Sequence, residues 1–186
     1  MAQTWRVARS SSNRNLQPLD RESLRHLAID YVGRYATSSG KLKSYLTRKL
    51  RERGWGETDE PPIDDIIARC RELGYVDDRA FAAMRASSLM RRGYGMRRVA
   101  EALHHAGVGQ EAADLARAEA EAHAMAAALA YARRRRIGPY AGIAMDADAA
   151  RRAMAAMMRA GHAIDIARRV LALTADDLDE RGGEAC

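Results

Sequence analysis

One short pattern, a helix-compatible run ending in glycine, occurs three times at nearly constant spacing. It limits the folds open to this chain more than any other feature. Residues 45–55 (YLTRKLRERGW), 98–108 (RVAEALHHAGV) and 152–162 (RAMAAMMRAGH) align without gaps. Their glycines, Gly54, Gly107 and Gly161, lie 53 and 54 residues apart, each four residues after an apolar Leu50, Leu103 or Met157. A glycine just past a helix end adopts a left-handed conformation that other residues resist, and the next residue folds back over the last turn. The pairs expected are Trp55 on Leu50, Val108 on Leu103 and His162 on Met157. Gly74, with Tyr75 and Cys70, repeats the pattern once more.

Each copy has a helix before it and a helix after it. Leu24, Leu27, Ala28, Tyr31 and Tyr35 keep helical spacing, then Thr37-Ser38-Ser39-Gly40 breaks the run before Leu42, Leu46 and Leu50. The second copy runs over 79–92, breaks at Gly93-Tyr94-Gly95 and resumes with Met96, Val99 and Leu103. The third is expected from about 119 to 136, breaking near Gly138-Pro139 and resuming near Ala147. A closing helix follows Pro61-Pro62, with counterparts expected at 110–118 and 163–172. The chain therefore reads as all-α, a tandem array of three three-helix repeats, elongated or curved. Units of this size bury too little alone and must stack on their neighbours. The expected segments are a disordered basic arm (1–16), repeats at 17–73, 74–118 and 119–173, and an acidic flexible tail (174–186).

Charge qualifies the picture. The chain of 186 residues carries a formal +6. The stretch from Thr174 onward holds five acids and one arginine, so the remainder carries 30 basic against 20 acidic residues. Such a body suits nucleic acid, an acidic protein surface or a nucleoprotein, although an arginine-rich solvated helix surface would look the same. Cys70 falls on an apolar helix stripe and Cys186 is the last residue, which argues against a disulfide framework and for a reducing cytoplasm. The short apolar runs are broken by arginine and exclude a membrane-spanning helix.

The corner Gly74-Tyr75-Val76-Asp77-Asp78-Arg79-Ala80-Phe81-Ala82 is the most distinctive stretch. Gly74 ends one helix, and Asp77 can cap the next. Asp78 stands at that helix's positive end, and Val76 and Phe81 can form a hydrophobic staple. This GYVDDRAFA corner, the basic helix ending RRGYG, the helix ending in AGV and the earlier KLKSYLTRKLRERGW together resemble the RecX family of recombination regulators. The resemblance spans roughly residues 24–108, and more weakly to about 173. It implies tandem three-helix repeats and binding to the RecA recombinase and its filament on single-stranded DNA, with inhibition of ATP hydrolysis and strand exchange. It implies nothing about the basic arm or the acidic tail.

Catalysis is not expected. His104 and His105 are adjacent on a helix and diverge, and Glu119 with His123 make only a two-ligand pair. GWG and GYG follow helices and lack the lysine-serine pair of a phosphate loop. No metal or cofactor is expected. Candidate contacts to a partner or DNA are Arg48, Lys49, Arg51 and Arg53, then Arg91, Arg92, Tyr94, Arg97 and Arg98 about the Gly-Tyr-Gly turn. Arg133, Arg134, Arg135, Arg136 and Tyr140 complete the set. Arginine beside an exposed aromatic suits phosphates, bases or an acidic groove, while cations at helix C-termini also simply offset the helix dipole. A monomer is expected, and direct binding to DNA without a recombinase is the competing reading.

Overall fold

The computed structural model describes residues 17–143, 145–174 and 177–178. The arm at 1–16, most of the acidic tail and Cys186 lie outside them. Nine α-helices occur among the described residues. They are α1 (Arg21–Arg34), α2 (Ser39–Arg53), α3 (Ile63–Glu72), α4 (Asp78–Arg91), α5 (Met96–His105), α6 (Gln110–Glu121), α7 (Ala124–Arg135), α8 (Ala147–Arg159) and α9 (Ile164–Ala172). They fall into three units of three, each around its own core. Leu24, Ala28, Leu42, Leu46, Ile66, Ile67 and Cys70 build the first core, and Val76 of the corner closes it. Ala82, Ala86, Leu89, Met90, Val99, Leu103 and Ala116 build the second, with Ala124 and Ala127 lent by α7. Ala128, Met157, Ala167 and Val170 centre the third.

The glycine caps form as physical chemistry requires, with one exception. Gly74, Gly107 and Gly161 have φ of 73°, 61° and 96°. Behind each, the next amide donates to the carbonyl five residues back: Tyr75 to Cys70, Val108 to Leu103 and His162 to Met157. Gly93 closes α4 in the same way, through Tyr94 to Leu89. Arg136, a non-glycine residue at φ 53°, closes α7 through Ile137 to Ala132. Gly54 departs from the expectation. Its φ of 80° is accompanied by an extended ψ of 172°, and Trp55 pairs with Leu19 instead of folding back. The reason is a strap over this end of α2: Leu19 donates to the Gly54 carbonyl, Gly56 donates to the Leu19 carbonyl, and Arg53 holds the Gln17 carbonyl.

The second helices stack head to tail. At the α5–α2 joint the Ser38 hydroxyl, which also caps α2 through the Lys41 amide, donates to the Ala106 carbonyl. At the α8–α5 joint the Gly95 amide donates to Ala160 (2.9 Å) and the Arg97 amide to Gly161 (3.1 Å). Carbonyls orphaned at one helix end thus meet amides orphaned at the next, and the dipoles align. Backbones this close leave no room for side chains. A Cβ on Gly40 would stand 2.5 Å from the Gly107 Cα, and one on Gly95 would stand 2.2 Å from the Gly161 carbonyl carbon.

The corner is a joint as well. The Asp77 carboxylate caps α4, accepting from the Arg79 and Ala80 amides at 2.9 Å each. Asp78 reaches across units and accepts from the Ser39 amide at 2.8 Å, so it caps α2 from the neighbouring repeat. Phe81 is buried with the Lys41 ammonium 5.2 Å above its ring. The boundary expected between helices at 118 and 119 falls a few residues later: α6 runs on to Glu121, and α7 starts at Ala124. The break at Ala122-His123 contains neither glycine nor proline, so no local signal marks it.

Candidate binding seam between the second and third units

The joint between units two and three brings together arginines from both units. Its turn, Arg92-Gly93-Tyr94-Gly95, is clasped by the third unit: Arg134 donates to the Arg92 carbonyl, and the buried His162 places Nε2 3.1 Å from the Gly93 carbonyl. A Cβ on Gly93 would meet the Tyr131 amide at 2.8 Å, so the glycine serves close packing. Beside the turn opens a cleft of about 480 Å³ lined by Tyr94, Tyr131, Arg134, Arg135, Ala156, Arg159 and Ala160. The Arg92 guanidinium lies 5.4 Å over Tyr94 and that of Arg135 6.0 Å from the Tyr131 centroid. The Tyr131 hydroxyl donates to the Ala156 carbonyl (3.1 Å). No carboxylate lines this cleft. Three guanidiniums and two phenol rings line the cleft, with a fourth guanidinium, of Arg92, over Tyr94; such an arrangement attracts phosphates or carboxylates and offers rings for planar groups.

The other candidates lie outside this cleft. Arg97 donates from its side chain to the Met158 carbonyl (2.7 Å) and so closes the end of α8, while Arg98 pairs with Glu101 at 3.0 Å. Arg53 is tied to Gln17, and Arg136 supplies the left-handed cap of α7. Arg51 and Arg133 are exposed in the last turns of α2 and α7. Tyr140 packs on the third core from the 3₁₀ turn Gly138–Tyr140. Arg91 lines an apolar groove of about 640 Å³ with Met84, Met90 and His123. Tyr75 lines another, of about 430 Å³, between α1 and α3. Arg48 and Lys49 line a tyrosine cleft in the first unit. Reading the sequence missed Tyr131 and Arg159 at the seam. Tyr131 lies two residues before an arginine run, and Arg159 stands two before the glycine cap, which is the available signal.

Burial pushes the His162 imidazole below its usual pKa, against the opposing pull of the Gly93 carbonyl. Burial likewise raises the thiol of Cys70, which is a free cysteine inside the first core. Among the described residues no cluster of three potential metal ligands occurs, and no helix is long and apolar enough to cross a membrane.

Comparison with known proteins is consistent with this architecture. Residues 77–116 match the family model described as RecX, second three-helix domain. The regulatory protein RecX of Myxococcus xanthus is 32% identical over 157 residues, covering 80% of this chain and 83% of that protein. The regulatory protein RecX of Escherichia fergusonii is 32% identical over 85 residues, covering 44% of this chain and 51% of its own length. Among solved structures, RecX from Lactobacillus salivarius superposes with a TM-score of 0.64 at 15% identity, covering 81% of this chain and 93% of that one. A second RecX structure gives 0.58 at 16% identity, covering 81% and 70%.

Proposed function

Because this chain belongs to the RecX family of regulatory proteins, we propose that it binds the RecA recombinase filament on single-stranded DNA. There it restrains ATP hydrolysis and strand exchange during recombination and repair, in the cytoplasm, as a monomer and without a cofactor. The observation that carries this reading is the seam cleft, which Arg134, Arg135 and Arg159 line with no carboxylate among the lining residues, and whose Tyr94 ring lies under Arg92. A polyanionic nucleoprotein or an acidic protein groove complements such a surface. Repetition supports it too. Units joined head to tail offer contacts at intervals, and many modest contacts along a row suit a partner that is itself a helical repeat of subunits.

The chemistry is binding. The cations are held by backbone carbonyls and aromatic faces, which positions them without giving a nucleophile or base. RecA-dependent ATP hydrolysis on single-stranded DNA, with this protein titrated in, tests the proposal. Hydrolysis and strand exchange should fall as protein is added, and unchanged rates at saturating protein would overturn it. The competing reading, a DNA-binding regulator acting without RecA, draws on the same arginines. It requires tight, sequence-selective duplex binding that survives moderate salt, whereas purely electrostatic contacts weaken steeply.

A further inference from the structure

The seam cleft has a counterpart in the first unit. Leu24 and Ala28 of α1 are buried as Ala124 and Ala128 of α7 are, each 100 residues later. In that register Tyr31 matches Tyr131, Arg34 matches Arg134 and Tyr35 matches Arg135, while the glycine caps pair Lys49 with Ala156. All four first-unit residues line one cleft of about 550 Å³, and all four counterparts line the seam cleft. The two are the same site in different repeats, with different occupants. In the third unit the preceding repeat contributes to the site. Tyr94 brings an aromatic ring and Arg92 a carbonyl oxygen, which Arg134 holds. In the first unit the lining among the described residues comes from α1, its capping Tyr35 and α2 alone, and the described strap, Gln17 and Leu19, lies at the Gly54 end.

The first unit presents a stacking platform lined by Arg34, Arg48 and Lys49, with Asp30 the one carboxylate in the lining. Tyr31 and Tyr45 stack with centroids 4.3 Å apart and 17° between planes, and Tyr35 leans on Tyr31 at 5.3 Å. Tyr35 is 58% exposed, unusual for so large a ring beside a core. Arg48 and Lys49 stand 5.6 and 6.0 Å from the Tyr45 centroid. Their carboxylate partners are surface pairs: Asp30 lies 3.7 Å from Arg34, and Glu52 lies 2.6 Å from Lys49 and 3.8 Å from Arg48. Pairs this exposed contribute little, so a stronger anion displaces them readily.

We propose that this first-unit cleft binds an unpaired nucleobase of single-stranded nucleic acid, stacked on Tyr35, with the flanking phosphate held by Arg34, Arg48 and Lys49. The seam is a partial internal precedent: there Arg134, at the position of Arg34, holds an oxygen acceptor, and the Tyr94 ring shares the cleft. A duplex keeps its bases stacked on one another and presents none to Tyr35, so the site selects single strands. The inference deepens the nucleoprotein reading by assigning a direct strand contact to one cleft, and it concerns the protein without recombinase.

The test is fluorescence anisotropy of labelled oligothymidylate with the full chain at low salt, compared with an abasic oligonucleotide, a duplex and polyglutamate. Tyr35→Ala removes the platform and should weaken oligothymidylate binding roughly 5- to 100-fold, with the abasic strand little affected. Iodouracil-substituted oligonucleotides should crosslink to Tyr35 or Tyr45, a readout that needs no variant. Equal affinity for base-bearing and abasic strands, competition by polyglutamate as strong as by oligothymidylate, an unaffected Tyr35→Ala protein, or crosslinks confined elsewhere would each overturn the inference. Inhibition of RecA hydrolysis, measured separately, would survive such a failure, so the two proposals fall independently.

Discussion

Gly95 and Gly161 meet backbone to backbone, so closely that a Cβ on Gly95 would lie 2.2 Å from the Gly161 carbonyl carbon and 2.3 Å from its oxygen. Gly95 itself has φ −84° and ψ 173°, which any residue adopts. The demand for glycine is therefore one of space. Gly95→Ala must push α8 away from α5 and stretch the two hydrogen bonds of the joint, costing about 1–3 kcal/mol. Gly33 provides the contrast: it is exposed on α1 with nothing within 4 Å of an added Cβ. Gly33→Ala should gain about 0.5 kcal/mol from backbone entropy. Thermal melts of both variants check the pair, and a Gly95→Ala protein as stable as the parent would disprove the joint.

The two aspartates of the corner act on different helices, and one measurement separates them. Asp77→Ala should cost about 1 kcal/mol by uncapping α4. Asp78→Ala should cost a similar amount by uncapping α2 across the unit boundary, since its carboxylate holds the Ser39 amide. Amide hydrogen exchange tells them apart: Ser39 should lose protection in the Asp78 variant and keep it in the Asp77 variant. Equal protection in both would mean that Asp78 does not link the repeats.

Much of this fold was legible in the sequence because its punctuation is glycine. Gly74, Gly107 and Gly161 are helix ends that a left-handed residue must close, and the even spacing of Gly54, Gly107 and Gly161 announced the repeats. Asp77 was legible for a similar reason, since a cap depends on residues only two or three away. What was not legible depends on other units. Gly54 looked like its two counterparts, but Leu19 takes its carbonyl, and a partner 35 residues away leaves no local trace. Gly93-Tyr94-Gly95 looked like an exposed basic edge, whereas both glycines are needed because another backbone passes within contact. Arg97 and Arg134 looked like partner contacts, and each closes a helix end across the seam. Arg159 joins the site only because α8 stacks on α5.

His162 makes the seam sensitive to acid. Its Nε2 faces a carbonyl, which can only accept, so the neutral ring donates there while Tyr131 packs 5.5 Å away. Burial holds its pKa below the usual 6.5. The unfolded chain therefore binds a proton that the folded one refuses, and stability falls as pH drops through about 6.5 toward the lower folded value. Melting midpoints measured from pH 8 to 5 should decline on the acid side. His162→Gln keeps a donor without titrating and should flatten that decline. An identical pH profile in the variant would remove His162 as the cause.

Arg159 distinguishes a functional seam from a merely structural one. It is exposed in the last turn of α8, and it lines the cleft with Arg134 and Arg135. Arg134 is a poor probe, since losing it also frees the Arg92 carbonyl and would confuse folding with binding. Arg159→Glu instead reverses one charge where no carboxylate lines the cleft. The melting midpoint should fall only modestly, by the helix-dipole contribution of about 1 kcal/mol or less, because Arg159 is exposed in the last turn of α8. The concentration needed to inhibit RecA-dependent hydrolysis should rise roughly tenfold, since like-charge contacts with a polyanion oppose association. The log–log salt dependence should also lose about one phosphate's worth of slope. Charge-neutral Arg159→Gln should fall between the two proteins. If the reversal leaves inhibition and its salt dependence untouched, the partner binds elsewhere on the array, and the seam arginines serve only to hold repeats together.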